Sequence, residues 1–192
     1  MAAKNILITG LPGIGKTTIF MKLIKELERT DDAGSGTASS GIAGPGMAGF
    51  YTREIRQDGK RNGFELLSLD GRKLVLAHID IRSPHRVGRY RVDLKGFEST
   101  LFSLDLLNTP QSIVLIDEIG KMECFSAEFT NLVENLFDSV KTVVATVAAQ
   151  GSGFIQEVKK REDCDIVVVR RGNRNELPAT LAEKIHRIHK HR

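Results

Sequence analysis

Gly10-Leu11-Pro12-Gly13-Ile14-Gly15-Lys16-Thr17 is the stretch on which the reading of the whole chain turns. It satisfies G-x-x-x-x-G-K-[ST] without a substitution, and such a loop cradles phosphate only when it joins a strand to a helix. Both flanks comply. Asn5-Ile6-Leu7-Ile8-Thr9 is a short apolar run suited to a buried parallel strand, and Thr17 to Arg29 sets Ile19, Phe20, Leu23, Ile24 and Leu27 on one helical face. The glycines let backbone N–H groups turn inward around a phosphate at the positive end of that helix. Gly10, Leu11, Pro12, Gly13, Ile14, Gly15, Lys16, Thr17 and Thr18 are therefore candidate nucleotide-binding positions. Lys16 would bring an ammonium to the β and γ phosphates, and its side chain is expected to stand exposed in the empty loop. Thr17 would bring a hydroxyl to Mg²⁺. A glycine-rich connector without a ligand is the alternative, and the complete motif in its required context argues against it.

The second marker is Ile113-Val114-Leu115-Ile116-Asp117-Glu118, four branched apolar residues closing on two acids. It reads as a buried parallel strand with carboxylates at its carboxyl end, where ligands sit in open α/β sheets. Mg²⁺ held through Thr17 calls for a carboxylate on the neighbouring strand tip, which makes Asp117 the metal acid. Glu118 beside it can reach an attacking water and take its proton, a role that points towards hydrolysis. The alternative for Glu118 is a surface carboxylate, or one paired with Lys121.

The remaining chain fits an α/β frame. Its 192 residues suit one domain, 1–192, and 41% hydrophobic with 27% charged residues are globular values. Met1-Ala2-Ala3-Lys4 runs straight into the first strand and no apolar run reaches bilayer length, so we expect a soluble, cytoplasmic protein, or a nuclear one in a eukaryote, with no membrane contact. Cys124 and Cys164 have no metal-ligand spacing and are expected to be free thiols. A net charge of +4 is accounted for by polyanionic nucleotide, with nucleic acid as a second reading. Acidic residues are interspersed among the basic clusters and aromatics make up 6% with no Trp, which favours solvated surface.

Thr30 to Ala48 collects glycines among Ser, Ala and Thr and reads as a loop. Gly49 to Arg56 and Gly63 to Leu69 read as a hairpin around Asp58-Gly59, and Lys73 to Ile79 as a third antiparallel strand after Asp70-Gly71. Asp80 to Asp93 is polar and arginine-rich. Phe97 to Leu107 reads as a helix stopped by Asn108-Thr109-Pro110. Ser126 is a candidate N-cap for a helix through Phe129, Leu132, Val133, Leu136, Phe137 and Val140. A strand at Thr142 to Val147, a helix around Phe154 to Val158, a strand at Asp165 to Val169 and a closing helix with Pro178 in its first turn complete the chain. The expected fold is an α/β three-layer sandwich with a mixed, mostly parallel sheet and an antiparallel insertion after the first helix.

Asp117-Glu118-Ile119-Gly120-Lys121-Met122-Glu123 resembles the characteristic segment of the P-loop nucleoside-triphosphatase family that includes the human cancer-related nucleoside-triphosphatase. Gly49-Phe50-Tyr51-Thr52 with Arg56, Val87-Gly88 with Tyr90 and Val92-Asp93, and Asn173-Arg174-Asn175 resemble further segments of that family in the same order. The similarity runs from Asn5 to about Leu177, and Thr30 to Ala48 is longer and richer in glycine than the usual link. The resemblance implies a RecA-like P-loop fold and slow, Mg²⁺-dependent hydrolysis of several nucleoside triphosphates; we expect ATP and GTP among the substrates, and a monomer. It also implies base contacts from Asn173 and Arg174. Thr146 occupies a position where related ATPases place a polar residue near the γ phosphate, although a strand-favouring threonine reads as well. Arg82, Arg86 and Arg89 are candidates for a cation on the transferred phosphoryl group, against a solvated loop. Two competitors share the cradle: a small-molecule or nucleotide kinase, with Thr30–Ala48 and Arg82–Arg91 as lid candidates, and a nucleotide-dependent switch that binds nucleic acid.

Overall fold

The computed structural model describes residues 3–32 and 46–190, so most of the glycine-rich stretch after the first helix lies outside the described residues. In chain order the elements are β1 (Asn5–Gly10), α1 (Lys16–Asp32), β2 (Met47–Gln57), β3 (Lys60–Ser68), β4 (Lys73–His78), β5 (Arg86–Val87), β6 (Tyr90–Val92), α2 (Leu94–Leu104), β7 (Ile113–Ile119), α3 (Ala127–Asp138), β8 (Thr142–Ala148), α4 (Phe154–Val158), β9 (Cys164–Val168) and α5 (Leu177–Lys190). The nine strands form one sheet in the order β5-β6-β4-β3-β2-β7-β8-β1-β9. From β2 to β9 the ladders are parallel, and from β2 outward to β5 they are antiparallel.

Period-2 alternation splits the apolar residues of the parallel half between two cores. Ile6 and Ile8, Ile113 and Leu115, and Val144 pack with Ile19, Phe20, Leu23 and Leu27 of α1 and Leu181 and Ile185 of α5. Leu7, Val114, Ile116, Val143, Ala145 and Val147 pack on the other face with Phe97 of α2, Phe129 and Phe137 of α3, and Ile155 of α4. Helix, sheet and helix thus make the three layers expected from the sequence. Phe20, Phe97 and Phe129 are each fully buried, and each side chain so removed from water contributes about 1.5–3 kcal/mol.

Local chemistry sets the joints. Asp58 and Gly59 both take positive φ, 50° and 73°, the geometry of the tight hairpin turn that their sequence predicts. Asp93 caps α2 by accepting from the Gly96 amide at 3.1 Å. Asp105, left-handed at φ 43°, ends that helix. The helix therefore starts three residues before Phe97 and stops ahead of Asn108-Pro110, because the caps outrank the proline. Ser126 caps α3 as expected, accepting from Phe129 N, and also donates to Glu98 of α2 at 2.8 Å. Val140 falls beyond the end of α3 and is 85% exposed rather than part of its apolar face. The polar stretch before α2 is not all loop: its second half is the short β5–β6 hairpin that forms the far edge of the sheet.

Candidate active site

The P-loop spans from Gly10 at the end of β1 to Thr17, the second residue of α1. Gly13 and Gly15 adopt φ of 75° and 102°, conformations that would strain any other residue, and the Ile19 amide begins the helical ladder on Gly15 O at 3.0 Å. The Lys16 side chain is not exposed. It is 10% accessible, its ammonium donates to Gly10 O at 3.4 Å, and it stands 4.0 Å from Glu118 Oε2, because the acids of β7 draw it back over the loop. Glu118 therefore faces Lys16, and Lys121 is exposed.

Asp117 does not sit on the strand next to β1. β8 stands between β1 and β7, with Ile8 opposite Thr146 and Leu115 opposite Val144. Asp117 continues the parity of Ile113 and Leu115, and Thr146 that of Val144, so both turn towards the face covered by α1. Thr146 Oγ1 donates to Asp117 Oδ1, so the strand between β1 and β7 holds the acid through a side chain. Burial raises the Asp117 pKa, opposed by the Thr146 and Thr17 hydroxyls, the Lys16 charge and the Thr52 amide. Its second oxygen, Oδ2, is buried without a hydrogen-bond partner. An unpartnered carboxylate oxygen beside a threonine hydroxyl is the kind of oxygen pair that fits a hard divalent cation.

The β7 register breaks between Ile116 and Ile119, and the Asp117–Glu118 peptide bond within the break is cis. Burial also raises the Glu118 pKa, and Asp117 adds to it, while Lys16 and Lys159 pull it down. Lys159, at the end of α4, fixes the end of β8 by donating to Ala148 O at 2.6 Å and Ala149 O at 3.0 Å. Glu123, in a 3-10 turn at Glu123–Phe125, is 6% exposed, and burial pushes its carboxyl up to about 8. The sequence reading missed Lys159 and Glu123 as neighbours of the site. Neither lies in a periodic pattern: the turn after β7 brings Glu123 to Glu118, and the short helix α4 after β8 brings Lys159.

Other expected positions are not gathered here. Arg86 lies on β5 and Arg89 in the turn before β6, at the outer edge of the sheet, and among the described residues neither makes a hydrogen bond or ion pair to Lys16, Asp117 or Glu118. Their guanidinium groups donate to Gly88 O and Arg61 O. Arg82 is exposed and makes no ion pair or hydrogen bond among the described residues. Asn173 knits its own loop, accepting from Arg170 N at 2.8 Å and donating to Val168 O at 3.0 Å, while Arg174 is exposed. The arginines of the β2–β3 hairpin are answered within it: Arg53 pairs with Glu65, and Arg56 and Arg61 with Glu54. A groove of about 610 Å³ between α2 and α3, lined in part by Glu98, Phe102, Asp105 and Glu128, contains none of the P-loop site residues. Cys124 and Cys164 are free thiols. Among the described residues no helix is long and apolar enough to cross a membrane.

A glycine-rich phosphate loop on β1, one intervening strand, and an acid pair at the end of the next define a P-loop nucleoside-triphosphatase. A family model described as NTPase matches residues 5–182, and the chain belongs to that family. It is 43% identical over 174 residues to a nucleoside-triphosphatase THEP1 from Thermotoga sp. strain RQ2, covering 90% of each chain. It is 34% identical to the Homo sapiens cancer-related nucleoside-triphosphatase, covering 91% of this chain and 93% of that one. The crystal structure of THEP1 from Aquifex aeolicus superimposes with a TM-score of 0.78 at 26% identity, over 94% of this chain and 98% of that one. The solution structure of the human protein gives 0.75 at 30% identity, over 94% and 96%. The chain is an enzyme, a nucleoside-triphosphatase.

Proposed function

We propose that this enzyme is a Mg²⁺-dependent phosphohydrolase of broad base tolerance, converting ATP, GTP and other nucleoside triphosphates to the diphosphate and phosphate in the cytoplasm as a monomer. The observation that carries it is the convergence of Lys16, Asp117 and Glu118 at the carboxyl ends of β1 and β7, with Asp117 Oδ2 buried and unpartnered. The amides of the Gly10–Thr18 loop bind the phosphates. Lys16 neutralises charge on the β and γ groups. Thr17 and Asp117 would hold Mg²⁺, which when bound offsets charge on the phosphate oxygens. Thr146 fixes the Asp117 carboxylate through its hydroxyl. Glu118 accepts the proton of the water whose oxygen bonds to the γ phosphorus as the bond to the β-phosphate oxygen breaks.

Broad base tolerance is supported by the far side of the site, where the Asn173 amide is taken up by its own loop instead of facing outward as a free recognition edge. Turnover is slow because Arg86 and Arg89 are spent elsewhere, leaving lysines as the cations near Glu118.

The test is phosphate release from ATP, GTP, CTP, UTP and their diphosphates, with and without Mg²⁺, by the parent and by Glu118→Gln. The variant should bind Mg²⁺-ATP within a few-fold of the parent and hydrolyse it about 10²- to 10⁴-fold more slowly, the contribution of a positioned general base. Near-parental hydrolysis would remove Glu118 from the reaction. Appearance of a phosphorylated acceptor in place of free phosphate would identify a kinase.

A further inference from the structure

Glu118 is poorly anchored by the sheet. The register of β7 is broken across Asp117 and Glu118 and resumes only at Ile119 opposite Val147, so strand pairing does not fix where the Glu118 carboxylate stands. Lys16 at 4.0 Å holds it from one side. On the other side is the bare face of Gly120. A Cβ placed there would lie 3.4 Å from Glu118 Cγ and 3.5 Å from Glu118 Oε1, and also 2.9 Å from Glu123 Oε2. Two carboxyl side chains therefore close on a single point that glycine leaves free.

Among the described residues no ion pair to Glu123 is formed. The charges that act on it are those of Glu118 and Asp117, both of its own sign, and the backbone amides of Gly120 and Glu123 itself face its carboxyl. Its own carbonyl accepts from the Ser126 amide at 3.0 Å, and Gly120 O accepts from Cys124 N at 3.0 Å, so the turn that carries it is tied at both ends. A buried acid held by backbone amides in a fixed turn is a rigid object, and the flexible Glu118 side chain rests beside it. A core position with only structural duty would be filled more cheaply by an apolar side chain.

We propose that Glu123 is a positioning residue for hydrolysis: packed with Glu118 against Gly120, its carboxyl sets the reach of the Glu118 carboxylate towards the attacking water. This rests on the reading of Glu118 as the base. The mechanism is geometric. Removing the backing lets Glu118 fall into the vacated space, away from the phosphate cradle, and a displacement of about 1 Å at a reacting group costs on the order of 10²-fold in rate. Glutamine, with the same shape and a donor of its own, keeps the backing. Alanine at Gly120 pushes on the same point from the opposite direction.

The experiment measures single-turnover hydrolysis, Mg²⁺-ATP affinity and thermal unfolding for Glu123→Ala, Glu123→Gln, Gly120→Ala, Glu118→Gln and the pair Glu118→Gln with Glu123→Ala. Glu123→Ala and Gly120→Ala should lose about 10²-fold in rate with ATP affinity within a few-fold of the parent, and Glu123→Gln should stay within a few-fold in both. In the Glu118→Gln background Glu123→Ala should cost nothing further, the non-additivity expected of residues that act as a unit. A fully additive loss in the double variant overturns the proposal, as do near-parental rates in folded Glu123→Ala or, if that variant does not fold, in Gly120→Ala. Near-parental hydrolysis by Glu118→Gln alone would instead refute the assignment of the base, so the two failures are distinguishable.

Discussion

Glu123→Gln should change the pH dependence of stability in a way that follows from one number. In the folded protein burial holds the Glu123 carboxyl near pKa 8, whereas in the unfolded chain it returns to the ordinary value near 4.5. Below the unfolded value the group is protonated in both states and costs nothing. Between the two values the folded state keeps a proton that the unfolded state has released, so stability falls as pH rises. Above the folded value both states are ionised and the loss stops growing. At 1.36 kcal/mol per unit, the penalty accumulated across this window is about 5 kcal/mol, which is comparable with the whole stability of many domains. Glutamine has no proton to release. Urea unfolding of parent and variant at one-unit steps from pH 4 to 9 should show curves that run together at the acid end and diverge towards pH 8, with the variant the more stable. Asp117 and Glu118, whose pKa values burial raises in the same direction, are present in both proteins. The Cys124 thiol is pushed up to about 12 and does not titrate in this range. A constant offset between the two curves, with no divergence, would show that Glu123 is ionised in the folded protein and would refute the account of its environment.

Lys16→Ala should leave urea unfolding nearly unchanged, since its 3.4 Å hydrogen bond and 4.0 Å ion pair are long, but should weaken Mg²⁺-ATP binding by about 1.5–3 kcal/mol, measured by titration calorimetry. Parental affinity would overturn the cradle assignment. Asp117→Asn should weaken nucleotide binding in the presence of Mg²⁺ and leave binding in excess EDTA almost unaltered. An equal loss in both would assign Asp117 to packing alone. Gly49→Ala should lower stability by about 4 kcal/mol or more, or abolish folding, because Gly49 has φ 134° and a Cβ there would stand 1.9 Å from Leu115 O of β7. A melting temperature near that of the parent would show that β2 and β7 can separate without cost.

Features that depend on local pattern were legible in the sequence. The continuous apolar runs of β1, β7 and β8, the stripe of α1 and the Asp58-Gly59 hairpin announce themselves because each is fixed by neighbours within a few residues. The β5–β6 hairpin is not, since it is held by two residue pairs, Arg86 with Arg91 and Val87 with Tyr90, inside a polar stretch. Lateral order is illegible for a different reason. Alternation tells which face a side chain takes but not which strand lies alongside, so Asp117 was expected next to β1 when β8 and Thr146 come between. The acid pair at the site was readable from its strand end. Glu123 and Lys159 were not, because a turn and a short helix bring them to Glu118 from outside any periodic segment.

The place of β8 also governs the order in which the molecule can be made. Both ladder partners of β1, the strands β8 and β9, come from beyond residue 141, so this buried strand has no ladder partner until those later segments have been made. β7 is synthesised earlier and pairs with β2, yet it cannot meet β1 directly, because the gap between them is one strand wide and belongs to a later segment. Such long-range parallel pairing is slow and leaves apolar edges open while it is pending. The P-loop on β1 is thus made first and its ladder partners late, so a nascent chain lacks the complete site until β8 and β9 have been synthesised.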